Sequence, residues 1–219
     1  MRFGKEIRGV IFDIDGVLLD SMEIWTDLGA RYVRSQGKEP EENLGETLFS
    51  MSMEEGAGYI RDHFLPEKTA EDILTGLRTM LRNFYFHEVK ARPGAEKLME
   101  ALKANRVRIT AATSSLREHV EKALERNGLL RYISRIYTSS EVGSSKHSSE
   151  IFDIAAGYMG LDKSRICVLE DSLYALETAA RAGYRTVGIY DEKGEPDQKG
   201  LEKTADIYVR DLTALMQMF

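Results

Sequence analysis

Cysteine is almost absent: Cys167 stands alone in 219 residues, so no disulfide can form within the chain. Its neighbours Ile166, Val168 and Leu169 are apolar, which marks a buried, inert thiol. Long hydrophobic runs are missing as well. Without about 20 consecutive apolar residues no bilayer-spanning helix is expected. The opening Met1–Glu6 carries no apolar leader ahead of the first strand, so a cytoplasmic location is expected. Positive charge is in deficit: 30 Lys and Arg face 36 Asp and Glu, for a net charge of −6. That balance argues against nucleic acid as a partner. The four histidines (His63, His87, His119 and His147) are scattered and offer no His-Glu-x-x-His metal spacing. No internal repeat or low-complexity tract interrupts the chain, and residues 191–200 form a polar loop. With 42% hydrophobic and 30% charged residues, this is the composition of an ordinary globular protein. Its length suits one sizeable domain, or one domain with an insert.

Six short apolar runs read as strands: 7–13, 107–113, 136–138, 166–169, 186–189 and 207–209. Between them run helical patterns. Ala95, Leu98, Met99 and Leu102 form one stripe, and Leu116, Val120 and Leu124 another that closes at Gly128, a glycine placed to end a helix. Ile151, Ile154, Ala155 and Tyr158 form a third, and Leu173, Leu176 and Ala180 a fourth. Strands alternating with helices predict an α/β fold, a Rossmann-like doubly wound parallel sheet with helices on both faces. The interval 18–90 breaks the alternation. Its stripes (Ile24, Leu28, Tyr32; then Ile73, Leu77, Leu81, Phe84) are helical throughout, and it is too long for one crossover. The expected organisation is a core of 1–17 and 91–219 with an inserted helical cap over 18–90, hinged near Leu18–Asp20 and Glu88–Arg92.

Chemistry concentrates at strand ends, where open parallel sheets bind ligands. The first strand runs into Asp13-Ile14-Asp15-Gly16. Two carboxylates so close repel unless a cation or a shared proton intervenes. Taken alone, the pair describes a strand cap equally well. The second strand ends in Thr113-Ser114-Ser115, and Ser115-Leu116-Arg117-Glu118 has the form of a capping box. Such a hydroxyl run is either a helix cap or a seat for a phosphoryl oxygen. Lys146 enters the next helix against its dipole, a cost that an anion nearby would remove and that a solvated lysine would simply bear. The fourth strand then ends in Glu170-Asp171-Ser172, a second acidic pair. Hard oxygen ligands converging from two strands suit Mg²⁺. One ion can bridge Asp13 and Asp171 only if their side chains approach within about 8 Å.

Four motifs in order, Asp13-Ile14-Asp15-Gly16-Val17-Leu18-Leu19-Asp20-Ser21, Ala112-Thr113-Ser114-Ser115, Lys146 with Ile151-Phe152, and Val168-Leu169-Glu170-Asp171-Ser172, are similar to those of the haloacid dehalogenase superfamily. Within it the chain resembles the phosphatases related to β-phosphoglucomutase, over essentially its whole length. The resemblance implies a Mg²⁺-dependent phosphatase in which Asp13 is the nucleophile and Asp15 the general acid and base. It implies a metal held by Asp13, the backbone carbonyl of Asp15 and Asp171, with Glu170 near or in that shell. Thr113 and Lys146 would hold the phosphoryl oxygens, with Ser114 helping through its backbone. The substrate implied is a small phosphorylated metabolite, and the assembly a monomer or small homo-oligomer.

The chain departs from the family in places. His147-Ser148-Ser149-Glu150 follows Lys146 where relatives carry a proline-rich entry, so a less stiff loop is expected, with His147 on the surface. Asp15 argues for phosphoryl transfer over dehalogenation, and the cap's few lysines (Lys38, Lys68, Lys90) offer no Schiff-base site. Mutase relatives place a histidine where Trp25 stands, and a cap arginine where Phe49-Ser50-Met51-Ser52-Met53-Glu54 offers Met53. Phosphatase is therefore favoured over a β-phosphoglucomutase-like mutase. A non-catalytic phosphometabolite-binding or interaction module would have lost one of Asp13, Asp15, Lys146 or Asp171, and all four are present. Trp25, Met51 and Met53 line either a specificity pocket or the cap's own core. Arg78, Arg82 and Arg92 are candidates for an anionic substrate tail, with a surface role favoured for each.

Overall fold

The computed structural model describes residues 7–49 and 51–217; Met1–Glu6, read above for a leader, and Ser50, read above with Met53, lie outside the described residues. The chain divides into two compact units. One comprises Ser21–Val89, and the other takes the chain up to Asp20 and again from Lys90. The divisions fall at 20/21 and 89/90, against the expected 17/18 and 90/91.

Every described element of the Ser21–Val89 unit is a helix: α1 (Met22–Ser35), α2 (Leu44–Phe49), α3 (Met53–His63) and α4 (Ala70–Asn83), closing in one π-helical turn over Phe84–Glu88. Two of these helices start on reciprocal caps. Ser52 accepts from the Glu55 N–H while Glu55 accepts from the Ser52 N–H, and Thr69 and Asp72 do the same for α4. The two stripes read in the sequence face inward, since Ile24, Leu28, Tyr32, Ile73, Leu77, Leu81 and Phe84 are all buried. Trp25, Met51 and Met53 are half-buried.

The other unit carries the sheet. Its strands are β1 (Gly9–Phe12), β2 (Arg108–Thr113), β3 (Arg135–Thr138), β4 (Ile166–Glu170), β5 (Arg185–Ile189) and β6 (Ile207–Val209). All neighbours are parallel, in the order β3-β2-β1-β4-β5-β6. Crossover helices cover both faces: α5 (Ala95–Ala104), α6 (Arg117–Arg126), α8 (Glu150–Met159), α9 (Leu173–Arg181) and α10 (Gln198–Thr204), with the single turn α7 (Ser139–Val142) before α8. Helices on both faces explain why β1 and β4 are buried at every residue rather than alternately.

The chain winds from β1 outward through β2 to β3, then returns to place β4 on the other side of β1. This reversal is the topological switch point, where a crevice opens beyond the strand ends. Register fixes which residues meet there. Phe12 pairs with Leu169, and the Asp13 N–H donates to the Leu169 carbonyl at 2.9 Å. The residue after β1 therefore sits beside the last residue of β4.

Three helical stripes differ from expectation; on α9 the buried face is Ala175, Leu176, Thr178 and Ala179, while Ala180 is exposed. On α8 the buried face is Ile151, Phe152, Ala155, Ala156 and Met159, while Ile154 and Tyr158 are exposed. Phe152 and Met159 pack with Ile11, Val168 and Tyr184 beneath the sheet. Leu116 is exposed as well and is the N-cap of α6, not a core residue. Gly128 follows the C-cap of that helix at φ 72°, as its position in the sequence implied. Cys167 is fully buried in β4, and burial pushes its thiol pKa up, as an inert thiol requires.

Candidate active site

Asp13 leaves β1 and the chain turns at once. The Leu18 and Leu19 N–H groups both donate to the Ile14 carbonyl, at 2.9 and 2.8 Å, and the Gly16 N–H donates to the Leu19 carbonyl at 2.9 Å. Gly16 takes φ 74°, a conformation that costs a side-chain-bearing residue energy. Ile14, Val17, Leu18 and Leu19 are fully buried and anchor the turn, while Asp15 stays half-buried.

Across the switch point, β4 delivers Glu170 and Asp171. Carboxylate oxygens of Asp13, Glu170 and Asp171 lie within 4.8 Å of one another, well inside the 8 Å limit, and all three residues are buried. Lys146, from the loop before α8, reaches the same place. Its ammonium donates to Asp13 and, at 2.5 Å, to Glu170 Oε1. The lysine is buried too, at 3% exposure, and so is not the solvated residue its position alone allowed.

The electrostatics follow from this crowding. Burial pushes the Asp13 pKa well above the usual carboxylate range; Lys146 opposes the shift, and Glu170 and Asp171 add to it. Asp171 is likewise raised, by burial first and then by Glu170. Glu170 is raised by burial against the pull of Lys146. Burial alone would lower the Lys146 pKa, but Asp13 and Glu170 more than reverse that and hold it above its usual value. Three carboxylates against one ammonium leave an excess of two negative charges when all are ionised. One further fact bears on that excess. Asp171 Oδ2 is buried and has no hydrogen-bond partner, a costly condition for a carboxylate oxygen. An all-oxygen donor set, a double negative surplus and an orphaned oxygen fit a hard divalent cation of the Mg²⁺ type. Asp13, Glu170 and Asp171 are the side chains that can hold it; the Asp15 carboxylate lies outside that group.

Asp15 turns instead toward the end of β2. Its Oδ2 accepts from Ser115 Oγ at 2.7 Å and, more weakly, from Thr113 Oγ1 at 3.5 Å. The expected capping box is therefore not formed. The N-cap of α6 is Leu116, which offers no side-chain bond, and the Ser115 hydroxyl is engaged with Asp15. Thr113 is fully buried, and its Oγ1 accepts from the Ser115 N–H at 3.0 Å. Ser114 is exposed at the rim, with its hydroxyl 3.4 Å from that of Ser139. The structure thus brings Asp13, Lys146, Glu170 and Asp171 into one cluster and Asp15, Thr113 and Ser115 into an adjoining one.

Residues beyond the motifs complete the surroundings. The exposed His147 ring stacks on Tyr174 with centroids 4.3 Å apart, giving the loop around Lys146 an aromatic anchor where proline would have stiffened it. The loop after β5 comes up beside Asp171: a Cβ on Gly194 would lie 3.0 Å from Asp171 Oδ2. The sequence offered Ser115 only as a capping residue and 191–200 only as a polar loop, whose last three residues in fact begin α10. The adjacent Thr-Ser-Ser hydroxyls were the available signal for Ser115, whereas nothing local marked Gly194. Arg78 pairs with Glu54 at 2.8 Å on the surface, and Arg82 lies 4.0 Å over the Phe86 ring. Arg92 is no surface residue: its side chain is only 13% exposed and is paired with Asp191.

Comparison with known proteins identifies the family. The family model for haloacid dehalogenase-like hydrolases matches residues 10–189. A phosphorylated carbohydrates phosphatase of Thermotoga maritima is 24% identical over 181 residues, covering 83% of this chain and 84% of its own. A "probable pseudouridine-5'-phosphatase" of Drosophila melanogaster is 29% identical over 199 residues, covering 86% and 84%. Among solved structures, a HAD family hydrolase from Deinococcus radiodurans, crystallised with phosphate and sodium, superposes with a TM-score of 0.75 at 23% identity, covering 96% and 94%.

Proposed function

The chain belongs to the haloacid dehalogenase-like hydrolases, and from that membership we propose a Mg²⁺-dependent phosphatase that hydrolyses a small phosphorylated metabolite through an aspartyl-phosphate. One observation carries the reading: a buried lysine and three buried carboxylates converge at the sheet's switch point, with one carboxylate oxygen left unpartnered. No function in folding explains such a group, since burying charge in this excess is costly.

Asp13 is the nucleophile. Its carboxylate oxygen forms a bond to phosphorus while the ester P–O bond breaks, and the leaving oxygen takes a proton from Asp15. Asp15 then removes a proton from water, whose oxygen attacks phosphorus and breaks the bond to Asp13. Inorganic phosphate departs and Asp15 is again protonated, so the cycle closes. Ser115 and Thr113 both hold Oδ2 of Asp15 and so orient the carboxyl group that gives and takes the proton. Lys146 opposes the burial that raises the Asp13 pKa and offers positive charge to the phosphoryl oxygens. Asp13, Glu170 and Asp171 hold the cation, with the Asp15 backbone carbonyl as a further ligand. When bound, Mg²⁺ supplies charge neutralisation for the nucleophile and the transferring group. The helical unit 21–89 serves as the specificity-bearing cap, and the enzyme works in the cytoplasm as a monomer or small homo-oligomer.

Asp13→Asn tests the assignment. It is expected to abolish hydrolysis of an aryl phosphate while leaving the circular dichroism spectrum unchanged; near-normal turnover refutes it. A panel of phosphorylated metabolites, including β-glucose 1-phosphate with and without a bisphosphate primer, separates release of phosphate from isomerisation. Absence of both from an intact, metal-loaded protein would favour a binding module.

A further inference from the structure

Arg92 stands two residues past the point where the chain re-enters the sheet-bearing unit, outside all four motifs. Its backbone N–H donates to the Leu18 carbonyl at 2.9 Å. The guanidinium turns inward: Nη1 donates to the Gly16 carbonyl at 2.6 Å and to Asp191 Oδ2 at 2.5 Å, and Nη2 to the Tyr190 carbonyl at 2.7 Å. Gly16 follows Asp15 in the turn after β1. Tyr190 and Asp191 begin the loop that leaves β5. One side chain therefore ties two strand-end loops together, a task that suits the flat, multi-donor guanidinium and not an ammonium.

From Asp191 the contacts continue toward the acidic cluster. Asp191 Oδ1 accepts from the Lys193 N–H at 2.9 Å, and the Asp191 carbonyl accepts from Gln198 Nε2 at 3.0 Å. The curl so formed sets Gly194 against Asp171 Oδ2. Glu195 fixes the same loop from its far side. Its Oε2 accepts from the Leu173 N–H at 2.8 Å, two residues beyond Asp171. Hydrogen bonds thus run from the Asp13–Gly16 turn through Arg92 to Asp191, and the loop they hold passes beside Asp171. Arg92 and Asp191 are mostly shielded from solvent, 13% and 7% exposed at their side chains, so each leaves an uncompensated charge if the other is removed.

We propose that Arg92 and Asp191 are positioning residues. They fix the distance between the nucleophile's turn and the loop beside Asp171, and so the spacing of acids contributed by β1 and β4. The proposal rests on reading those acids as the cation site and adds residues that touch neither cation nor substrate. Outer partners of metal ligands influence affinity in this way, typically by about 10- to 100-fold.

The test is direct Mn²⁺ binding to the full chain, followed by the paramagnetic resonance signal of free Mn²⁺, at a temperature below each variant's melting point. Arg92→Met is expected to weaken Mn²⁺ binding by about tenfold or more, and to raise by a similar factor the Mg²⁺ needed for half-maximal turnover. Arg92→Lys, which keeps the charge and loses the fork, recovers only part of this. Arg92→Met with Asp191→Leu, which leaves neither charge unpaired, regains melting temperature and not Mn²⁺ affinity. Wild-type Mn²⁺ affinity in a folded Arg92→Lys or Arg92→Met protein overturns the positioning role and leaves Arg92 a stabilising residue only. A wild-type protein that binds no Mn²⁺ removes the cation site, and this proposal with it.

Discussion

Replacing Lys146 by Met removes one positive charge from the centre of the acidic cluster while keeping an unbranched apolar stem in place. The lysine is 4% exposed at its side chain and donates to both Asp13 and Glu170. Two charge-assisted bonds at about 1.5–3 kcal/mol each bound the loss at about 3–6 kcal/mol. Removing one partner of a buried pair generally costs about 3–5 kcal/mol, so about 4 kcal/mol is expected for the metal-free protein near neutral pH. The deficit depends on pH with a definite sign. Asp13 and Glu170 are already raised above their unfolded values, and without Lys146 both rise further. The folded variant then binds more protons than its unfolded chain above about pH 4, and its stability increases as pH falls toward that value. Urea unfolding of wild type and variant with metal removed, at several pH values, measures the difference. A deficit of several kcal/mol that narrows on acidification is expected. A variant as stable as wild type near neutral pH, or a deficit that widens on acidification, refutes the pairing.

Other outcomes follow from the same geometry. The metal-free wild type should lose thermal stability as pH rises above the ordinary carboxylate range, because burial raises Asp13 and Asp171 and their ionisation then opposes folding. Saturating Mg²⁺ should flatten that slope in thermal melts, and a slope untouched by Mg²⁺ contradicts the cation site. Ser115→Ala removes the 2.7 Å bond to Asp15 and should lower kcat by roughly 10-fold or more, with a shifted pH profile and little change in melting temperature. An unchanged profile would leave Ser115 without a role in proton transfer. Phe152→Ala, in the cluster beneath the sheet, should destabilise by about 3–5 kcal/mol in urea without altering the metal requirement.

The sheet was legible because its residues speak locally. Apolar runs such as 166–169, broken by helical stripes, could form nothing but alternating strands and helices, and all six strands lie where the runs do. The acids Asp13, Glu170 and Asp171 were legible for a topological reason: each follows or ends a central strand, and parallel strands deliver their carboxyl ends to one edge. Sequence failed where a residue's partner is distant. Ser115 fits a capping box as a sequence pattern, but Asp15, 100 residues away in the chain, captures its hydroxyl and shifts the start of α6 to Arg117. Arg92 looked like a surface cation because its acceptors, Gly16, Tyr190 and Asp191, lie 76 to 99 residues away. Ile154 and Tyr158 share a helical period with the buried Ile151 and Ala155, yet the face they extend runs out beyond the sheet. Periodicity names a stripe and does not say how wide the covering surface is.

Whether turnover passes through Asp13 can be read directly by stopping the reaction with acid during steady-state hydrolysis and mapping the peptides by mass spectrometry. A hydroxylamine-labile phosphoryl group on the peptide bearing Asp13, absent from Asp13→Asn, is the expected result. Brisk turnover with no acyl phosphate, or with the phosphoryl group on another side chain, would contradict it.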